Sequence, residues 1–284
     1  MGSDESLPDY LDFIIDRSVE DDVIGLITDY CIEQKDTWDV IKLSGIKEDA
    51  VCFKFYDFLS NKGYKTYRKL DGICPYIKLP ETWKDYLNTL SKKSRFNVRK
   101  KKRVLDTHYK NSFSIIDNED HLEEVMDQLS ELHRKRMTMK GIKNSYSSSD
   151  TFWKFQKKIA AEFFRKGWLL LGILQISGKL AACQYAFKFW DKVFHYQTGF
   201  DPAYEKYSVG LISVGHMIEA SINSGCEEYD FLRGEEDYKL HWAKSNKELF
   251  SAYISNNNAK GRIFLRQHIT LQWIKQKIKT FGKR

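Results

Sequence analysis

The chain has little that would staple, anchor or export it. Its 284 residues hold five cysteines, Cys31, Cys52, Cys74, Cys183 and Cys226. Their odd number and the lack of any C-x-x-C spacing read as reduced thiols and argue against a zinc site. No apolar run approaches the roughly 20 residues that a membrane helix needs. The first residues are acidic and lack the apolar core of a signal peptide. Residues 1–6 formally match an N-myristoylation pattern, but Asp4 and Glu5 are a poor context for it. No internal repeat is visible. Aromatic and charged residues, by contrast, are plentiful: hydrophobic content of 42% with 14% aromatics argues against wholesale disorder, and the formal net charge is +7. The composition reads as a cytoplasmic protein with one large core or two small domains.

Hydrophobic periodicity supplies the elements. Residues 18–34 read as an amphipathic helix with Val19, Val23, Ile24, Ile27 and Ile32 on its apolar side. Residues 38–43 read as a strand, 50–62 as a helix, and 65–67 and 75–79 as two strands, an α/β alternation. Residues 119–139 and 149–166 read as helices, the first opening acidic and closing on His133, Arg134, Lys135 and Arg136, as the helix dipole prefers. Then come strands over 168–177, 179–190 and 193–200, joined by turns at Ser177-Gly178 and Asp191-Lys192. A helix-like run over 208–223 leads to a strand at Tyr229, so an antiparallel meander is followed by one crossover.

Two stretches are strongly basic. In residues 91–103 (SKKSRFNVRKKKR) cations flank Phe96 and Val98, while the preceding Trp83, Tyr86, Leu87 and Leu90 recur at helical spacing. Residues 82–107 therefore read as a helix or helix pair. Its basic face is either solvated or meets phosphates of nucleic acid, CoA, a nucleotide sugar or a lipid headgroup. Residues 261–281 mix Ile263, Leu265, Ile269, Leu271, Trp273 and Ile274 with cations, an amphipathic helix that either docks on the protein or makes peripheral contact with an anionic membrane.

The densest chemistry lies in residues 227–242, EEYDFLRGEEDYKLHW, where Tyr229, Phe231 and Leu232 run into Arg233, Glu235, Glu236, Asp237, Tyr238 and Lys239. This is a strand ending in either a solvated turn or an active-site edge. Upstream, Gly199-Phe200-Asp201-Pro202 precedes a helix start whose free N–H groups suit phosphate. His195 sits mid-strand and, by alternation, shares a face with Gln197. Asp230, a carboxylate inside an apolar strand, needs a partner such as Arg233 or Lys239 unless it is kept for function. Backbone N–H groups near Gln197–Gly199 could hold an oxyanion if a bulge splays the strands there.

Tyr207, Ser208, Gly210, Leu211, Tyr229, Asp230, Phe231, Gly234, Tyr238, Lys239 and Trp242 form a pattern that resembles the GNAT acyltransferases. Within them it is similar to the CelD-like and FemAB-like branch, which carries two GNAT folds in tandem. The resemblance covers roughly residues 86–256. It implies an α/β fold with a mixed, largely antiparallel sheet. Residues 1–110 would be an incomplete or divergent N-terminal GNAT-like half, since relatives carry more chain before a segment like Tyr10-Leu11-Asp12. Residues 111–258 would be a second GNAT domain, and 259–284 a terminal helix. The resemblance also implies an acyl-CoA donor and an amine or hydroxyl acceptor on a polysaccharide or cell-envelope precursor, with no metal. The family's pyrophosphate motif, Gln/Arg-x-x-Gly-x-Gly/Ala, falls on Glu205, Ser208 and Gly210, of which only Gly210 keeps its glycine. Donor contacts are expected from Gln197, Gly199, Tyr207, Ser208, Val209, Gly210 and Leu211, and substrate contacts from Lys92, Arg95, Arg99, Arg233, Lys239 and Trp242. Tyr238 would be the general acid, and Asp230 or His195 the base. Two alternatives stay open. One is a FemAB-like transferase using aminoacyl-tRNA, and the other is a GNAT-fold binding protein without catalysis.

Overall fold

The computed structural model describes residues 8–139, 141 and 149–281. Along the chain run α1 (Glu20–Glu33), β1 (Val40–Lys47), α2 (Cys52–Asn61), β2 (Lys65–Lys78), α3 (Trp83–Thr89), α4 (Lys92–His108) and β3 (Asn111–Ile115). They are followed by α5 (Leu122–Met139), α6 (Asp150–Arg165), β4 (Leu169–Ile176), β5 (Lys179–Phe189) and β6 (Lys192–Phe200). The last elements are α7 (Val209–Asn223), β7 (Glu228–Asp230), α8 (Asp237–Trp242), β8 (Ser245–Ser255) and α9 (Ala259–Phe281). The residue 1–6 acylation pattern and the Trp273 side chain lie outside what is described. The elements fall into two compact units, Met1–Ile73 with Lys247–Arg284, and Cys74–Asn246.

In the first unit β1 pairs antiparallel with β8, and Ile24, Phe55, Leu59 and Ile254 form a core with α1 and α2 against this pair. The start of α9 docks here. A Cβ on Gly261 would fall 2.8 Å from the Asn256 carbonyl, so only glycine lets the helix come so close. Farther along, the His268 ring lies 4.5 Å from that of Tyr253.

The second unit carries strand order β2-β7-β6-β5-β4-β3, the last residues of β2 belonging to it. Every neighbouring pair is antiparallel except β6 with β7, so the sheet is mixed and largely antiparallel. The meander forms because Ser177 and Gly178 both take positive φ, the backbone a two-residue hairpin demands. Helix starts are equally local: Thr82, Ser91 and Ser149 each accept an N–H from three residues on. α7 is apolar nearly all round, with Val209, Val214, Met217 and Ile218 almost wholly buried. Such a helix belongs in the middle of a core, which makes it the natural crossover between β6 and β7.

Two points of the sequence reading need correction. Residues 65–67 and 75–79 are one fourteen-residue strand, β2, in which Asp71-Gly72 does not turn the chain. β3 and β8 were not foreseen; β3 alternates over only five residues, and β8 opens on Ser245-Asn246-Lys247-Glu248, which shows no alternation. The basic segment is the helix pair, α3 and α4, with the break where Leu90 turns extended, one of the two forms expected from sequence.

Candidate active site

β6 pairs with β7 only over Lys192–Phe194 against Glu228–Asp230, after which β6 continues to Phe200 while β7 stops. On its other edge β6 carries one extra residue: Tyr185 faces Gln197 and Ala186 faces His195, which leaves Tyr196 as a bulge. The bulge breaks the alternation expected from sequence. His195 and Gln197 do not share a face. The His195 ring instead meets Thr198, its Nε2 lying 2.8 Å from Oγ1, while Gln197 reaches His133 on α5.

Around His195 the polar groups determine one another. Gln184 donates its amide to Ser213, so its Oε1 accepts from the Thr198 hydroxyl at 2.7 Å. Thr198 must then accept from His195 Nε2, which leaves Nδ1 to accept from the Tyr229 phenol at 2.6 Å. Burial, with Lys239 and Arg136 nearby, pushes His195 down to about 3, and burial, with Arg136 adding, pushes His133 down to about 4. Both rings are neutral in the fold. The unfolded chain takes up protons at the ordinary histidine value, about 6.5, so it binds more protons than the fold between there and pH 4. Stability is therefore complete well above pH 6.5 and is lost as pH falls, by about 1.4 kcal/mol per ring at pH 5.5. The urea midpoint should drop between pH 7.5 and 5.5; an unchanged midpoint would mean that the rings protonate in the fold.

A cavity of about 220 Å³ opens where β6 outruns β7. Its walls are Lys101 of α4, Arg136 of α5, Thr198 and Phe200 of β6, Glu205, Ser208 to Leu211 and Val214 at the start of α7, and Tyr238 of α8. Ser208 has left-handed backbone and its side chain does not cap α7. The first N–H groups of the helix thus form a wall that favours anions. Burial raises the Tyr238 phenol, with Glu236 adding and Arg136 opposing, so it keeps its proton at neutral pH. Arg136 donates to the Thr198 carbonyl and lies 5.3 Å from the Phe200 ring, and its Nε is buried without a partner among the described residues.

Two further cavities lie along α7. One, of about 250 Å³, is lined by Asn97, Lys100, Lys101, Lys206, Tyr207 and Ser208, and so is strongly basic. The other, of about 140 Å³, is lined by Trp83, Leu87, Val98, Arg99, Leu211, Gly215 and Trp242, among others.

Of the residues expected from sequence, Tyr238, Ser208, Val209, Gly210 and Leu211 meet in the first cavity, Tyr207 in the basic one, and Arg99 and Trp242 in the apolar one. The others lie elsewhere. Gly199 turns its missing side chain toward Leu129 and Leu132 of α5. Asp230 is fully buried, and its Oδ1 accepts the Leu232 N–H at 2.7 Å. Lys239, 5% exposed, donates to the Arg233 carbonyl at 2.6 Å and pairs with Glu236 at 3.0 Å. That knot closes around Gly234, at φ 129°, where a Cβ would meet Lys239 Nζ at 2.9 Å. Arg95 bonds Asn88, and Lys92 is exposed at the start of α4. Arg136, Thr198 and Phe200 went unread as site residues, and Lys101 stood out only as one cation of the basic stretch; the cationic end of α5 marked Arg136 only as a dipole partner. Among the described residues no cluster of three His, Cys, Asp or Glu could hold a metal, and no helix is long and apolar enough to cross a membrane.

No curated protein matches the chain. Solved structures do, at low identity. FemX shares 12% identity at a TM-score of 0.59 over 86% of this chain and 79% of its own. L-PGS from Bacillus licheniformis shares 12% at 0.54 over 88% and 79%. A conserved protein of unknown function from Bacteroides thetaiotaomicron shares 13% at 0.55 over 82% and 76%. These likenesses are of fold. Residues 92–240, which run from the start of α4 through Tyr238, match the acetyltransferase (GNAT) domain, and the chain is accordingly a transferase that belongs to the GNAT family.

Proposed function

We propose that the protein transfers an acyl group from acyl-CoA to an amine or hydroxyl of a polysaccharide or cell-envelope precursor. The observation that carries this reading is the cavity between the parted ends of β6 and β7, walled by the open N-terminus of α7 and by the protonated Tyr238. The α7 N–H groups and Lys100, Lys101 and Lys206 would hold the donor's phosphates. The acceptor's lone pair attacks the thioester carbonyl, forming a C–N or C–O bond as the C–S bond breaks. The departing sulfur takes the proton of Tyr238, the phenolate recovers one from water, and the attacking group's proton leaves to solvent. Arg136 lowers the cost of negative charge beside Tyr238. Asp230 and His195, both buried, act through the backbone turn and through Thr198, and do not touch substrate.

The basic face of α4 also supports the second reading, aminoacyl-tRNA as donor, because both donors present phosphate. Melting temperature separates them: a ligand that binds only the fold at 100 times its Kd adds about 2.7 kcal/mol. Acyl-CoA should raise the melting temperature. A rise only with charged tRNA, vanishing steeply with salt, would select the second reading, and no rise with either would leave a GNAT-fold protein without catalysis.

A further inference from the structure

Three cavities follow one another along α7. The basic one is lined by Tyr207 and Ser208, the one holding Tyr238 by Ser208 to Val214, and the apolar one by Leu211 to Glu219. On α8 the same order holds, with Tyr238 in the middle cavity and Trp242, one turn on, in the apolar one. Leu211 lines both. If phosphates sit at the basic end and the thioester at Tyr238, whatever extends beyond the carbonyl faces the apolar cavity.

We propose that this third cavity is an acyl-chain pocket, and that the enzyme prefers a short chain, about four to six carbons, over acetyl. The inference rests on the acyl-CoA reading and deepens it. Trp83, Leu87, Val98 and Trp242 line the pocket, and Trp83 and Trp242 stand 6.2 Å apart. Gly215 keeps it open, since a Cβ there would fall 3.1 Å from the Trp242 ring. An apolar cavity of about 150 Å³ admits a six-carbon guest such as benzene, and this one, at about 140 Å³, is of that size. Trp242 is 1% exposed, and its indole N–H has no partner among the described residues. A buried donor left unsatisfied is costly, which favours a chain bearing an acceptor oxygen, such as a 3-hydroxyacyl group. Each methylene entering the pocket tightens binding about four-fold.

The test is calorimetric titration of the full chain with free CoA, acetyl-, hexanoyl- and 3-hydroxybutyryl-CoA, repeated on Val98→Phe, which fills the half-buried α4 wall, and on Val98→Ala, which widens it. The expected result is binding of the hexanoyl and 3-hydroxybutyryl donors at least ten-fold tighter than acetyl-CoA, a preference that Val98→Phe removes and Val98→Ala shifts toward longer chains. Equal binding of all four ligands would overturn the pocket while leaving the acyl-CoA reading intact. So would a loss of free CoA binding in Val98→Phe that matches the loss of hexanoyl-CoA, because the cavity would then hold the nucleotide. Failure of every ligand to bind would sink the acyl-CoA reading itself and the inference with it.

Discussion

Tyr238→Phe lowers acyl transfer, followed as free thiol released from acyl-CoA, by about 10²–10⁴-fold, the usual worth of a positioned acid. Donor affinity should stay within about three-fold, since the ring survives and only the hydroxyl is lost. The physical ground is specific. The phenol lines the cavity and burial keeps it protonated, while Arg136 stabilises the anion it becomes. It can therefore hold its proton until a thiolate forms and release it without a full desolvation penalty. Because Tyr238 packs against the cluster around Trp83 and Trp242, the variant's melting temperature must be measured alongside. A folded variant with undiminished thiol release would remove Tyr238 from the mechanism and leave its hydroxyl a packing accessory.

The largest effect on stability is expected at Gly199. A Cβ there would stand 2.8 Å from Leu129 Cδ1, 2.9 Å from Leu132 Cβ and 3.2 Å from the Leu129 carbonyl. The Leu129 side chain can swing away, but Leu132 Cβ and the carbonyl belong to the helix frame, so α5 itself must retreat. Overpacking of this kind costs about 3 kcal/mol or more for Gly199→Val, a fall of about 6–12 °C for a unit of this size. The retreat would also carry off Arg136 and the His133 partner of Gln197, so activity should decline even below the melting transition. Gly25, in α1, is the control: nothing lies within 4 Å of its Cβ position, and Gly25→Ala should not lower the melting temperature. Equal melting temperatures for Gly199→Val and wild type would show that α5 does not press on β6 as described.

Much of the second unit was legible residue by residue. The Ser177-Gly178 turn, the caps at Ser91 and Ser149 and the acidic-to-basic run of α5 are local signals, and the elements formed where those signals stood. The strands that were missed lacked such signals. β3 alternates, but over only five residues, and β2, read as two strands, carries a glycine and charges in its middle yet stays extended because ladder partners hold its end. The site was legible only where it lies on one segment: Ser208 to Leu211 and Tyr238 could be named in advance. Arg136, Thr198 and Phe200 could not, for each looks ordinary within its own helix or strand, and Lys101 stood out only as one cation of a basic run.

By itself the sequence determined the meander, the single crossover and the motif that places residues 92–240 among GNAT domains, because turns, caps and periodicity act over a few residues. Only the tertiary structure decided which side of β6 each group faces. The extra residue at Tyr196 lies in the register of β6 against β5, which the turn signal between them does not reveal, and a one-residue shift exchanges the faces of everything beyond it. The parallel pairing of β6 with β7, reached only across the α7 crossover, ends at Asp230 while β6 continues, and that mismatch in length opens the cavity in which Tyr238 meets the start of α7.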